Sequence, residues 1–259
     1  MHYSIPINIK LKKLVRTLHQ KQYRDQNSLF IAEGEKLCSE LLDSQFSTEL
    51  IIIRDSSSSD VYDIAKEYSD RGIPIYNAPK HQFDQMCETK SPQGILAVVN
   101  KKDFEIIPND SYIALDGVQD PGNIGTIIRT AEWFGVKQII LGGQTADQYS
   151  PKTVRSTMGS LFRMNVICVP DLAECIKVNF KNIENYCSLL SSKTKLSKVT
   201  PKGKIGLIFG SESRGISDNV VKVSKKSFLI EGSGNNESLN VAVSAGVSLY
   251  HFSKFENVL

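Results

Sequence analysis

LDGVQDPGNIGTIIRTAEWFG, Leu115 to Gly135, decides how the second half of the chain reads. A strand-like run ends at Leu115 and gives way to a loop of Asp, Pro, Gly and Asn, residues that punctuate turns for distinct stereochemical reasons. A helix follows, with Arg129 set between the apolar pair Ile127-Ile128 and Thr130-Ala131. The same alternation runs on to the end of the chain. SYIALDG, QIILGG, NVICV, NYCSLL, KIGLIFG and SFLIEG read as strands. NIGTIIRTAEWFG, SPKTVRSTMGSL, DLAECIKVNF, SDNVVKV and NVAVSAGVSLYHFSKF read as helices. A parallel sheet with helices on both faces satisfies such a pattern. In that architecture ligands bind beyond the carboxyl ends of the strands. The loops there are DGVQDPGN, GSESRGIS and EGSGNNESLN.

The first half also alternates. NIKLKKLVRTLHQKQYR places Leu11, Leu14, Val15 and Leu18 at i, i+3, i+4 and i+7, the spacing of an amphipathic helix. FIAEG, TELIIIR, IPIYNA and GILAVVN read as strands, with helices at EKLCSELL, VYDIAKEYSDRG and KHQFDQMCE. Together they predict a small α/β unit. NKKDFEIIPNDS loses periodicity and gathers Pro and Asn, so the boundary is placed within it, giving domains at 1–104 and 105–259. From Lys10 to Arg24 the chain carries Lys10, Lys12, Lys13, Arg16, Lys21 and Arg24 without one acid. Such a face is either merely solvated or contacts phosphates; no Glu stands at i±4 to compensate it along the helix.

With 259 residues, a net charge of +3 and 41% hydrophobic residues, the chain has ordinary globular composition, so any nucleic-acid signal must be local. The five cysteines are scattered and form no C-x-x-C, which points to small buried hydrophobes in a reducing compartment. His2, His19, His81 and His251 are isolated, so no metal site is predicted. No apolar run reaches membrane-spanning length and the start lacks a leader pattern, giving the expectation of a cytoplasmic protein.

The glycine-rich loops exclude two nucleotide sites. Gly122 and Gly125 do not spell G-x-G-x-x-G, Gly232-Ser233-Gly234 lacks the third glycine, and no GxxxxGK[ST] occurs. The residues alone therefore point to an α/β domain with a small-molecule site built from its late loops.

Those loops resemble the three signature motifs of the SpoU (TrmH) branch of the SPOUT RNA methyltransferases. Asn123-Ile-Gly-Thr-Ile-Ile-Arg129 is similar to N-x-G-x-x-x-R, and Phe209-Gly-Ser-Glu212-Ser-Arg-Gly215 to G-x-E-x-x-G. Ile230 through Glu237-Ser-Leu-Asn-Val-Ala242 is similar to the family's I-P-M…SLNVSVA, with Glu231-Gly232 where Pro-Met is usual. The opening helix, Phe30–Gly34 and Ser91–Gly94 resemble the small RNA-binding domain, of ribosomal protein L30e-like fold, that many relatives carry.

The resemblance implies a SPOUT domain with a C-terminal trefoil knot, an exception to the usual unknotted topology. It also implies a homodimer, S-adenosylmethionine as cofactor, and methyl transfer to a ribose 2′-hydroxyl of RNA, ribosomal RNA above all. By position Gly210, Ile230 and Leu239 would hold the adenosyl group, and Arg129 would be the catalytic arginine. A guanidinium with a pKa above about 12 is a poor base, so aligning the hydroxyl and steadying its developing charge suits Arg129 better. An intrahelical salt bridge is the structural alternative. Asn123 is expected as helix cap or substrate contact, and Glu212 as partner of an arginine such as Arg129 or as a loop anchor. Ser238 and Asn240 are expected as caps or ribose ligands. Arg155, which with Arg163 flanks STMGSL, is expected at a phosphate. Transfer RNA as substrate, and a non-catalytic ribosome-assembly factor, are the alternatives. An oxidoreductase is disfavoured by the missing glycine fingerprint.

Overall fold

The computed structural model describes residues 4–259, so His2 lies outside the described residues. The chain forms two compact units, one holding the chain up to Lys102 together with Asp147–Arg163, the other Asp103–Ala146 and Met164–Leu259.

In unit 1, strands β1 (Ser4–Pro6), β2 (Leu29–Glu33), β3 (Thr48–Arg54), β4 (Ile75–Ala78) and β5 (Ile95–Asn100) form one sheet in the order β1-β4-β3-β5-β2. β1, β4 and β3 run parallel, and β5 is antiparallel to both β3 and β2. The helices are α1 (Ile9–Thr17), α2 (Lys21–Asn27), α3 (Glu35–Leu42), α4 (Ser59–Asp70) and α5 (Lys80–Asp84). Asn8 caps α1 by accepting from the Leu11 amide, and Leu11, Val15 and Leu18 bury the apolar face as its spacing requires. Two features differ from the sequence reading. β1 is too short to show a period and contains Pro6, which an edge position tolerates. The opening helix breaks after Thr17, and the freed carbonyls of Leu18 and His19 accept from the Arg24 guanidinium, each at 2.8 Å.

In unit 2, β6 (Tyr112–Asp116) leads into α6 (Pro121–Trp133) and then β7 (Gln138–Gly142). The chain next returns to unit 1 for Asp147–Arg163, which carries α7 (Pro151–Ser156) and one 3-10 turn (Ser160–Arg163). There Tyr149 packs against Phe30 with the rings tilted by 31° and centroids 4.7 Å apart, and Phe162 packs edge-on to Phe46. Back in unit 2 follow β8 (Asn165–Cys168), α8 (Leu172–Asn179), β9 (Glu184–Ser188), β10 (Ile205–Gly210), α9 (Asp218–Ser224), β11 (Lys225–Phe228) and α10 (Val241–Phe252). The six strands lie in the order β11-β9-β10-β6-β7-β8, every pair parallel. The all-parallel sheet predicted from the sequence is therefore present. Its apolar strands are buried on both faces, as parallel strands require. Tyr112 and Phe180 stack at 3.9 Å in this core, and the Tyr112 hydroxyl donates to Asn185 Oδ1 at 2.8 Å.

Candidate active site

β6 and β10 are neighbours, so the loops leaving their carboxyl ends lie side by side. Asp116, the last residue of β6, locks the loop after β10. Its carbonyl accepts from the Ser211 amide at 3.1 Å and its Oδ2 from the Ser217 amide at 2.8 Å. Within that loop the Gly215 amide returns to the Ser211 carbonyl at 2.9 Å. This return explains Gly210. A Cβ there would lie 2.1 Å from the Gly215 carbonyl carbon and 2.4 Å from the Ile216 nitrogen. The glycine expected to admit the adenosyl group is thus required by its own loop. On the β6 side, Thr145 Oγ1 accepts from the Gly117 amide at 3.0 Å and its hydroxyl donates to the Gly142 carbonyl at 2.5 Å, with the Leu115 carbonyl 3.0 Å away, fixing the turn where Gly117 takes φ +72°.

The signature residues meet at the top of these loops. The helix cap of α6 is Asp120, which accepts from the Asn123 amide with Pro121 at the first helical position. Asn123, expected as a cap, stands in the first turn, and its side chain is free to reach outward. Its Nδ2 donates to Glu212 Oε1 at 2.6 Å, and its Oδ1 accepts from Asn240 Nδ2 at 3.1 Å. Asn240 in turn caps α10, its Oδ1 accepting from the Ala242 amide at 2.9 Å. A carboxylate can only accept, so Glu212 sets the direction of the whole chain of bonds. Glu212 therefore anchors Asn123 and does not pair with Arg129. Ser238 is not a cap; it is exposed at the edge of a cleft.

That cleft, of about 920 Å³, brings together Gly210, Ile230 and Leu239 along with Glu212 and Ser238. Phe209, Leu229, Ile230 and Leu239 give it apolar walls, and Lys195, Glu231 and Glu237 stand at it as charged residues. The Ser197 hydroxyl donates to Glu231, and that bond holds the Glu231 carboxyl below the ordinary carboxylate range. Arg129 is exposed on α6 and makes no hydrogen bond or ion pair among the described residues, so the intrahelical salt bridge is not formed. Sequence reasoning missed Asp116 and Thr145. The Asp-Pro at 120–121 was a usable signal for the true cap.

The basic residues of unit 1 divide into two groups. Lys10, Lys13 and Arg16 are exposed on α1 and Lys12 is half-buried, none with an ion-pair partner among the described residues. Arg24 is only 3% exposed; its Nε and Nη2 donate to Asp147 Oδ2 at 2.9 and 2.7 Å. Arg155 lies 3.3 Å from a Glu88 oxygen and 3.8 Å from a Glu33 oxygen. Both were expected at RNA phosphates. Instead, Arg24 is buried in a structural ion pair, and Arg155 is neutralised by carboxylates that compete with any phosphate.

Residues 110–250 match the model of the SpoU rRNA Methylase family, and residues 8–97 that of the MRM3-like substrate binding domain. The chain belongs to the SpoU family. It is 31% identical over 240 residues to 23S rRNA (guanosine(2553)-2′-O)-methyltransferase RlmP of Bacillus subtilis, across 91% of this chain and 93% of that protein. It is 28% identical to 23S rRNA (guanosine-2′-O-)-methyltransferase RlmB of Acinetobacter baylyi, across 69% and 77%. The structure of an AdoMet-bound rRNA methyltransferase from Sinorhizobium meliloti superposes with a TM-score of 0.85 at 26% identity, covering 96% of each chain. The SpoU match spans the Asn123, Glu212 and Asn240 loops, and the substrate-binding match spans the basic face of α1. Among the described residues, no helix is long and apolar enough to cross a membrane.

Proposed function

We propose that this SpoU-family protein transfers a methyl group from S-adenosylmethionine to the 2′-hydroxyl of a guanosine in ribosomal RNA, in the cytoplasm. The observation that carries the reading is the bonded chain Asn240–Asn123–Glu212, which unites the three signature loops beside a cleft of about 920 Å³. That volume lies in the usual range for a cofactor, about 300–1,000 Å³. Ile230, Leu239 and Phe209 suit the faces of a purine, and the polar rim suits its sugar and amino-acid ends. The cofactor fits these residues. When bound it supplies an already activated methyl on a positively charged sulfur, so the protein contributes chiefly position and charge.

Arg129 is then the group that meets the substrate. Its unpaired guanidinium donates to the 2′-oxygen and an adjacent phosphate, orients the hydroxyl and steadies negative charge as the proton leaves to that phosphate. Glu212 and Asn240 hold Asn123, and Asn123 holds the rim in register. Ser238 serves as a ribose ligand. Lys10, Lys12, Lys13 and Arg16 contact RNA phosphates from unit 1, so RNA binding falls within residues 1–104 and the chemistry within 105–259, although Asp147–Arg163 packs in unit 1.

Two further assignments belong to the same reading. The family's trefoil knot is assigned to unit 2 on the SpoU match over residues 110–250. Val243, Val247 and Tyr250 are exposed along α10, a stripe that suits the same surface of a second copy in a homodimer.

Mapping 2′-O-methylated nucleotides in total RNA with and without the gene tests the whole. A single 2′-O-methylguanosine lost from ribosomal RNA is the expected result. Loss from transfer RNA would change the substrate. No loss, together with no heat on titrating S-adenosylmethionine, would leave a non-catalytic assembly factor.

A further inference from the structure

A second hollow, of about 420 Å³, lies on the other side of the loop after β10. It shares Ser211, Ser213 and Gly215 with the cofactor cleft, so one loop is the wall between them. Its lining differs in kind. Where the cleft offers Phe209, Leu229 and Ile230, the hollow offers Gln119, Gln144, Arg214 and Asp218. The side chains of these four polar residues bond to nothing among the described residues. The backbone carrying them is nonetheless pinned. The Arg214 amide donates to Ser211 Oγ at 3.1 Å, Ser217 is held by Asp116, and Gln119 follows the turn that Thr145 fixes. Free polar ends on a fixed frame form a recognition surface, because little ordering of the backbone is left for binding to offset.

We propose that this hollow receives the base of the nucleotide being methylated, and that Arg214, Asp218, Gln119 and Gln144 read it as guanine. The proposal rests on the methyltransferase reading above. Guanine presents O6 and N7 as adjacent acceptors, which a guanidinium fork meets with two parallel bonds. Its N1–H and N2–H₂ are donors, and the Asp218 carboxylate can only accept. Adenine places an amino donor where O6 would be, opposite the Arg214 donors, and a pyrimidine has no N7. The shared wall accounts for the reach of the ribose. A base seated on one side of the loop leaves its own sugar at the rim, beside Glu212 and Asn123, with the methyl donor's cleft on the other side. Such seating requires the base to leave its stack, which favours an unpaired nucleotide.

The test uses the full-length protein, tritiated S-adenosylmethionine and total RNA from cells lacking the gene, digested afterwards to nucleosides. Wild type should label 2′-O-methylguanosine alone. Arg214→Met and Gln144→Leu should each lower kcat/KM for RNA, by about tenfold to a hundredfold for the arginine, and admit label into 2′-O-methyladenosine. Affinity for S-adenosylhomocysteine, measured by calorimetry, should stay at the wild-type value in both. Free guanosine monophosphate should inhibit weakly and only in competition with RNA. Label in any other nucleoside from wild type, unchanged kcat/KM and product in both variants, or cofactor affinity falling in step with rate would each overturn the proposal. So would tight binding of guanosine monophosphate without RNA, which would make the hollow a site for a free nucleotide. No label from wild type on any RNA would instead remove the methyltransferase reading, and the base pocket with it.

Discussion

Asn123→Asp is the sharpest probe of the bonded chain, because it alters one atom and reverses one interaction. The new carboxylate still accepts from Asn240, but its second oxygen faces Glu212 Oε1 at the 2.6 Å now spanned by a hydrogen bond. Two unit charges at that separation repel by about 1.6 kcal/mol even at the dielectric of water. The lost bond to a charged acceptor is worth about 1.5–3 kcal/mol. Together these make about 3–5 kcal/mol, so a rim held for catalysis by this chain loses about two hundredfold to two thousandfold in kcat/KM. Cofactor affinity should change far less, since the pair stands at the edge of the cleft. Adding Glu212→Gln supplies an amide that donates to the new carboxylate and should recover the rate to within about tenfold of wild type. The assay is methyl transfer to RNA alongside calorimetry with S-adenosylhomocysteine. If the single variant keeps wild-type turnover, the chain of bonds does not organise the site. If the double variant is no faster than the single one, Glu212 does something other than hold Asn123.

Arg129→Ala should abolish methyl transfer with cofactor affinity intact, and measurable turnover would take the arginine out of the mechanism. Gly210→Ala should weaken cofactor binding by about tenfold to a hundredfold. Its Cβ would meet backbone at 2.1 Å, and relieving that overlap costs about 1–3 kcal/mol, so wild-type calorimetry would refute it. Asp147→Asn should lower stability in urea by about 3–5 kcal/mol, because it strands the buried Arg24 guanidinium. An unchanged unfolding midpoint would show the pair to be dispensable.

Much of this molecule was legible in the sequence because strong periodicity and turn chemistry agree along it. Five of the six strands of unit 2 lie on the apolar runs of the sequence, β11 instead starting two residues early on Lys225-Lys226, and the three glycine-rich loops gather at the strand ends as an α/β sheet requires. What escaped was set by distant partners or by very short elements. Ser4–Pro6 has no room for a pattern. Arg24 looked like one more cation of a basic face because its carboxylate comes from Asp147, far along the chain. Asn123 is a favoured cap residue, but Asp120 before Pro121 takes the cap and leaves Asn123 in the first turn. Resemblance pointed to Gly210, but its physical reason, a loop closing on its own backbone, needed coordinates.

The return of Asp147–Arg163 to unit 1 bears on how the chain is born. A ribosome delivers residues in order, at about 5–20 per second. When Lys102 has emerged, Arg24 still lacks its carboxylate, Phe30 lacks Tyr149, and Phe46 lacks Phe162. The N-terminal unit must therefore wait several seconds, half-finished, while the first strands of its neighbour are made. A chaperone that binds exposed aromatic surface would meet this protein in that interval, before either unit is whole.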